Sequence, residues 1–493
     1  MFFLLFTTVT AFILWQLFSS IKWKEEHGIP TMRCWPSIFP KFLDRLSYNA
    51  HAVRLVNQGY RQHKNQPFRL LKMDMDLIVI PLKYANELRA VTSDKLDSLT
   101  ASFDDNAGKV TRILLDSELH THVIQRRLTP RLPNIIPVMM DELDHAFGQS
   151  NIDSHSSWIP VSPYEMVLRL STRAAARLFV SEPICRDEDF LNTSASYSRN
   201  IFDTISTSRS LGHALTPYLE RWIPSIQSAQ QQFQCIQKML CSEVDRRREN
   251  PENSTQDDFL QWCMELARTE EEAHAASVAH RTLGILSMAV VHTTAMASTH
   301  ILFDLMSDED LKKELREEQN QILRQGCTNI PRQAILSMRK LDSLMRESQR
   351  INPVGEFTFR RIVRKPITLS DGFQLHPGQQ IAIAARCINS DRDLIHDADV
   401  FKPLRWTEQD GTVPTTFSSS SASNLNFGLG RYACPGRFMA AYMIKAIVSR
   451  ILIDYDFKLQ EDCASGRPPN LTHGDKLFPN RTATILLRRR NQA

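Results

Sequence analysis

Phe427-Gly428-Leu429-Gly430-Arg431-Tyr432-Ala433-Cys434-Pro435-Gly436 is the stretch on which the reading of this chain turns. It follows a serine-rich loop and precedes a helical pattern that runs from about Phe438 to Ile453. A sulfur just ahead of a helix feels the positive end of the macrodipole, which lowers its pKa and favours the metal-binding thiolate. Pro435 suits a first helical turn. Glycines at 428, 430 and 436 let backbone approach a flat ligand closely and turn amides toward the sulfur. One thiolate with no second Cys or His beside it does not make a zinc site.

Outward from that loop, the chain has 493 residues, 42% hydrophobic and 23% charged, a balance that excludes disorder and fibrous repeats. Fifty-nine basic against 55 acidic residues leave a charge of +4, too little for a phosphate-neutralising surface, so no nucleic-acid partner is expected. Nine cysteines are spread singly with no C-x-x-C pair, which argues for free thiols in a reducing compartment. Met1 to Ile21 carries no charged side chain and as a helix would span about 30 Å, one bilayer core. Lys22 and Lys24 behind it favour a cytosolic body, with Trp15 and Trp23 as interfacial anchors. The expected organisation is an N-terminal membrane anchor over 1–21, a Gly/Pro-punctuated linker over 22–45 and a single catalytic domain over 46–493.

Phe68 to Pro81 reads as one or two strands, and Phe357 to Ile383 as a small antiparallel sheet broken by the turn dipeptides Asp371-Gly372 and Pro377-Gly378. Between them, roughly 85 to 350, the period is helical. The fold class expected is therefore mainly α with a small antiparallel β portion. Thr269-Glu270-Glu271-Glu272 reads as a capping-box start for a helix running without Pro to about Met306. Its centre, Val290-Val291-His292-Thr293-Thr294, gathers β-branched residues of poor helix propensity, and local distortion is expected there. The two threonines either turn their hydroxyls into a pocket or bond back to the i−4 carbonyl.

A haem held by one axial thiolate fits the Cys434 loop. The segment resembles the haem-binding loop of the cytochrome P-450 superfamily, F-x-x-G-x-[RH]-x-C-x-G, through Phe427, Gly430, Tyr432, Cys434 and Gly436. Glu347-Ser348-Gln349-Arg350 resembles that family's E-x-x-R helix, and Phe401-Lys402-Pro403-Leu404-Arg405-Trp406 its F-x-P-x-R-W loop. The resemblance implies the cytochrome P-450 fold, haem b on Cys434, and a structural network of Glu347, Arg350 and Arg405. Alone, Glu347 and Arg350 would be an ordinary i,i+3 pair.

Ala289 to Thr293 falls where the family keeps [AG]-G-x-[DE]-T, but His292 stands at the acid position and Val290 at the glycine. Thr293 and His292 are the candidate catalytic residues, the imidazole as a proton relay near neutral pH. Tyr432 stands where Arg or His usually meets a haem propionate, so charge is expected from Arg361, which follows the E-x-x-R helix, and from Arg126, the nearest match to W-x-x-x-R.

The activity implied is insertion of one oxygen atom from O2 into an apolar small molecule. With His292-Thr293-Thr294 and Gln125 to Pro130, the chain resembles fungal members acting on terpenoid and meroterpenoid secondary metabolites. Electrons are expected from an NADPH-dependent cytochrome P-450 reductase, at the endoplasmic reticulum membrane. Two other readings stand beside it: a haem-thiolate enzyme of rearrangement, desaturation or ring coupling, and a non-enzymatic haem-binding sensor.

Overall fold

Apolar side chains at helical spacing bury themselves against one another over most of this chain, and in the computed structural model they build a helical body with a small β region on its flank. The structure describes residues 28–111, 117–149, 157–250, 256–324, 332–407, 416–460 and 466–490. The anchor expected over 1–21 lies outside them.

The elements that matter for the site are, in chain order, β1 (Thr31–Met32), α1 (Lys41–Gln62), β2 (Phe68–Leu71), β3 (Asp76–Val79), β4 (Leu96–Asp97), α2 (Pro163–Phe179), α3 (Glu188–Leu219), α4 (Ala275–Leu305), α5 (Arg339–Ile351), β5 (Thr358–Val363), β6 (Gln380–Ile383), α6 (Arg437–Asp454), β7 (Leu471–His473) and β8 (Lys476–Phe478). β1 and the start of α1 fall inside the span expected as linker, so ordered structure begins earlier than the punctuation suggested.

The main sheet has the order β1-β2-β3-β6-β5-β4. It is antiparallel at β2/β3, β6/β5 and β5/β4, but parallel at β1/β2 and β3/β6, a mixed character that short strands far apart in sequence do not announce. Gly372 and Gly378, both with φ near +88°, make the turns read from the sequence.

α4 crosses the core, packed against α2, α5 and α6. It is long and apolar enough to span a membrane, yet 72% of its apolar window is buried inside the protein, and it serves as the central core helix. Thr269 does cap a helix, accepting from the Glu272 amide, but that helix ends at Ala273. His274 breaks the path and caps α4 itself, accepting from the Ala276 amide. Ile285–Val291 then widens into π-type turns, so the distortion takes in Val290 and Val291 of the stretch where it was expected and extends from there toward the N-terminus.

Candidate active site around Cys434

Two glycines in left-handed turns, Gly428 and Gly430, shape the Cys434 loop. Gly430 has φ +73°, and a Cβ there would sit 2.8 Å from the Cβ and carbonyl oxygen of Arg89, so neither the conformation nor the space admits a side chain. Gly430–Tyr432 is a single tight turn, after which the Cys434 amide donates to the Phe427 carbonyl at 2.7 Å. Phe427 packs edge-on against Phe417. Gly436 is the N-cap of α6, so the sulfur stands just ahead of the helix, as read from the sequence. The backbone amides of Gly436 and Arg437 point at it.

In the protein alone, burial pushes the Cys434 thiol above its ordinary value, while those amides and the Arg437 charge pull it down. Although protein surrounds it, Cys434 is exposed at its surface, because it opens onto an internal cavity of about 310 Å³.

Across that cavity lies one face of α4. Ala289, Thr293, Met296, Ala297 and His300 line it, at i, i+4, i+7, i+8 and i+11, the spacing of a single helical stripe. The Thr293 hydroxyl donates to the Ala289 carbonyl at 2.6 Å. Of the two arrangements open from sequence, Thr293 thus takes the back-bonded one while still lining the cavity; its oxygen lone pairs remain able to accept.

His292 must be corrected. A neighbour of Thr293 in the chain is turned about 100° around the helix, and the cavity lining does not include it. Its ring stacks on Phe202 of α3, centroids 3.6 Å apart, lies edge-on to Phe478 of β8, and is bound through Nδ1 to the Tyr164 hydroxyl of α2 at 3.1 Å. Burial first, then the positive charge of Arg481, drive its pKa well below the usual 6.5. The structure thus places His292 in an aromatic box between α2, α3 and β8, apart from the residues that line the cavity.

Arg361 and Tyr432 are brought together, as the sequence required of a charge arriving from elsewhere. The Arg361 guanidinium lies 5.1 Å from the Tyr432 ring centroid and 4.3 Å from that of Phe359. It is buried, donates to the Arg360 carbonyl at 2.7 Å, and has no carboxylate in ion-pair range among the described residues. Burial pushes its pKa down to about 10, against the pull of Tyr432 and Asp97. The Tyr432 hydroxyl is buried with no hydrogen-bond partner. A buried cation lacking an anion beside an orphaned phenol fits the acidic substituent of a haem, and a lone sulfur opening onto the cavity fits its iron. Arg126 does not join them: it is exposed on the wide turn Ile124–Leu128, with no contact to Arg361, Tyr432 or Cys434 among the described residues.

Glu347 is the centre of a buried knot. Arg350 grips it in a fork at 2.8 and 2.9 Å, Arg405 Nε donates at 3.2 Å, the Lys402 amide at 2.9 Å and the Trp406 indole at 3.1 Å. Burial alone would raise the carboxyl pKa, but Arg350, the Lys402 amide and Arg405 together hold it below the ordinary value. Arg350 also donates to the carbonyls of Asn389, Ala398 and Val400, so the knot ties α5 to the strand-free stretch that leads toward the Cys434 loop.

The cavity has a polar wall that sequence reading missed: His300, Ser348, Gln349 and Asn352. The signal was available for His300, which shares the helical phase of Thr293. A roomier cavity of about 600 Å³, between Phe147, Arg169 and Tyr455, holds none of the candidate residues.

The comparisons agree with this geometry. The family model described as Cytochrome P-450 matches residues 92–485. Cytochrome P-450 monooxygenase idtP of Claviceps paspali is 66% identical over 496 residues, covering 100% of both chains. Cytochrome P-450 monooxygenase paxP of Penicillium paxilli is 42% identical over 489 residues, 98% of this chain and 94% of that one. A retinoic-acid-bound cyanobacterial CYP120A1 superposes with a TM-score of 0.68 over 94% of this chain and 99% of its own, at 17% identity, a likeness of fold. With a family model spanning most of its length and monooxygenase relatives matched end to end, the chain belongs to the cytochrome P-450 family and is a cytochrome P-450 monooxygenase.

Proposed function

We propose that this monooxygenase inserts one oxygen atom from O2 into an apolar terpenoid or meroterpenoid intermediate of fungal secondary metabolism, with haem b that Cys434 would hold through its sulfur. The observation that carries the reading is that Cys434 and the helix stripe that bears Thr293 line one cavity. Bound there, haem supplies the activation of O2, and a thiolate ligand favours O–O cleavage. A metal cation at the sulfur offsets the burial that otherwise raises the thiol.

The residues of the chain do the rest. Arg361 and Tyr432 receive an acidic substituent of the macrocycle, one as charge and one as hydrogen-bond donor. Gly428 and Gly430 hold the loop backbone in its left-handed turns, and the Glu347–Arg350–Arg405 knot fixes the protein that seats it. Thr293 Oγ1, its proton directed to the Ala289 carbonyl, accepts from water in the cavity and orders it for proton delivery. Mostly apolar walls, Ala289, Met296, Ala297, Ile301, Val354 and Phe427 among them, exclude bulk water and suit the flat apolar macrocycle. Electrons come from an NADPH-dependent reductase. The apolar segment 1–21 anchors the protein in the endoplasmic reticulum membrane, ahead of one catalytic domain.

The test is the carbon monoxide difference spectrum of the dithionite-reduced protein beside Cys434→Ala. The expected result is a strongly red-shifted Soret band in the wild type that the variant loses. A haem-replete protein without that band overturns the assignment of Cys434. The absence of a carboxylate from the cavity stripe of α4 favours one second reading, desaturation or ring coupling without oxygen transfer. Oxygen-18 from O2 appearing in the product excludes it.

A further inference from the structure

Where α3 meets the main sheet and the β7–β8 hairpin, seven charged side chains close one cluster. Lys72 Nζ lies 2.8 Å from Asp475 Oδ2, and Arg360 of β5 reaches the same oxygen at 2.9 Å and Asp105 Oδ1 at 3.1 Å. Lys476 Nζ is 2.9 Å from Asp105 Oδ2. From α3 comes Arg209, its Nε 3.0 Å from Asp74 Oδ2 and its Nη1 2.7 Å from Asp105 Oδ1 and 3.8 Å from Asp475 Oδ1. Burial would raise the carboxyls of Asp74, Asp105 and Asp475, but the cations around them hold all three below their ordinary values, so the cluster is ionised.

The charges divide unevenly between α3 and the rest. Within the cluster Lys72, Arg360 and Lys476 already balance Asp74, Asp105 and Asp475, which leaves the α3 guanidinium as the surplus cation. One of its nitrogens, Nη2, is buried without a partner. A buried charge that is neither needed for balance nor fully bonded adds little net stability, which suits a contact that has to release. The seam beside it is polar too. Asn49 of α1 donates to Ser210 Oγ at 2.8 Å, and a cavity of about 30 Å³, room for a water, lies among Asn49, Asp74, Ile205, Arg209 and Asp475. α3 itself breaks at Gly212, φ +76°, three residues past Arg209.

This seam leads to the helix that bears Thr293. Phe202, Ile205 and Arg209 stand at i, i+3 and i+7, one stripe of α3. At one end of the stripe Phe202 stacks on His292, the chain neighbour of Thr293; at the other Arg209 enters the cluster. The hairpin repeats the plan, with Phe478 edge-on to His292 and with Asp475 and Lys476 among the charges. Both covers of α4 are therefore pinned to the sheet, and to each other, by the same ions.

We propose that Arg209 is the latch of an entry seam between α3 and the β7–β8 hairpin. Bonded to Asp74, Asp105 and Asp475 it holds both covers over α4, and its release parts them for an apolar substrate. A polar seam opens at low cost, because water replaces the bonds it gives up. The inference rests on the haem-thiolate reading above and adds to it how the same site is reached.

The experiment uses the haem-loaded full chain and 4-phenylimidazole, a base that ligates haem iron whatever the natural substrate. Stopped-flow recording of the Soret shift gives its association and dissociation rates in the wild type, Arg209→Gln, Arg209→Lys and Arg199→Gln. The last breaks the ion pair of α3 with Glu165 of α2, about 15 Å up the helix from the latch. The expected result is a rise of about tenfold in both rates for Arg209→Gln with the dissociation constant unchanged, since a larger open fraction speeds entry and exit alike. Arg209→Lys, which keeps the charge and loses the fork, shows a smaller rise of the same sign and carries the test should Arg209→Gln not fold. Arg199→Gln keeps the wild-type rates. Unchanged rates in the folded Arg209 variants overturn the proposal, as does an equal rise in Arg199→Gln, which would mean general loosening of α3. The carbon monoxide spectrum of the same preparations separates the failures: its thiolate band present with unchanged rates sinks only the latch, while its absence sinks the haem-thiolate reading.

Discussion

His292 and His300 stand about two turns apart on one helix, and α4 sends them into opposite surroundings. Both are buried, both are held neutral by burial and a nearby arginine, and each has an Nε2 without a partner. Yet His292 is gripped on its faces by aromatic rings from α3 and β8 and on Nδ1 by Tyr164, while His300 stands among the residues lining the cavity, with Nδ1 held by Arg467. The difference is helical phase. Of the two residues beside Thr293 in the chain, Thr294 lines the cavity and His292 does not, while His300, seven residues on, does. The box around His292 joins α2, α3 and the β7–β8 hairpin to the helix beside Thr293, so its contribution is to hold shape.

The most severe way to break this contrast is His292→Ala. It removes the stacked ring, opens a void against Phe202, and leaves the Tyr164 hydroxyl without its partner, a loss of about 3 kcal/mol in stability. Urea unfolding followed by tryptophan fluorescence measures it. The folded variant is expected to keep the Cys434-dependent carbon monoxide band, because nothing in the box touches the Cys434 loop. A band lost in step with a retained fold would put His292 in the site after all.

Acid sharpens the comparison next. For both histidines the folded-state pKa lies below that of a free imidazole, near 6.5, so the unfolded chain binds the extra proton. Their stability contribution is whole above about pH 6.5 and is withdrawn as pH falls, for His300 down to about 3. The charged groups facing His300 are Arg467 and, through it, Asp304. His300→Phe should therefore lose about 2 kcal/mol less stability than the wild type between about pH 6.5 and 5. Denaturant midpoints at the two pH values decide it, and parallel losses would mean that His300 is protonated in the fold.

How much of this could be read from residues alone follows the same line. The Cys434 loop, the partnership of Glu347 with Arg350 and Arg405, and the need for Arg361 near Tyr432 were legible because motif residues carry their partners in a fixed order along the chain. Thr293 was legible as a cavity residue, though its back-bond to Ala289 depended on how the π-type turns before it settle. The neutral state of His292 was not legible, since it depends on rings from α3 and β8 that arrive only with the fold. Arg126 was chosen by spacing, and the wide turn at Ile124–Leu128 carries it to the surface. The parallel seams of the sheet and the Arg467–His300 bond join segments far apart in sequence, where neither period nor composition signals contact.

The smallest effect is also the most discriminating, because its sign is unusual for a buried polar residue. Where a polar group is satisfied by protein, as Nδ1 of His292 is by Tyr164, replacing it destabilises; where it is buried without a partner, the fold carries the cost. Gln349 Oε1 is of the second kind. Gln349→Leu keeps the volume, removes the orphaned acceptor and adds apolar surface to a largely apolar cavity, so the ligand-free protein should become more stable by about 0.5 to 1 kcal/mol. Set beside the loss on His292→Ala, a gain here divides the buried polar groups of one core into those that build it and those it carries at a cost. Calorimetry of the haem-loaded, ligand-free variant measures the change. A loss of stability would mean that Gln349 already has a partner within the fold, and the wall would then be structural like the box two turns away.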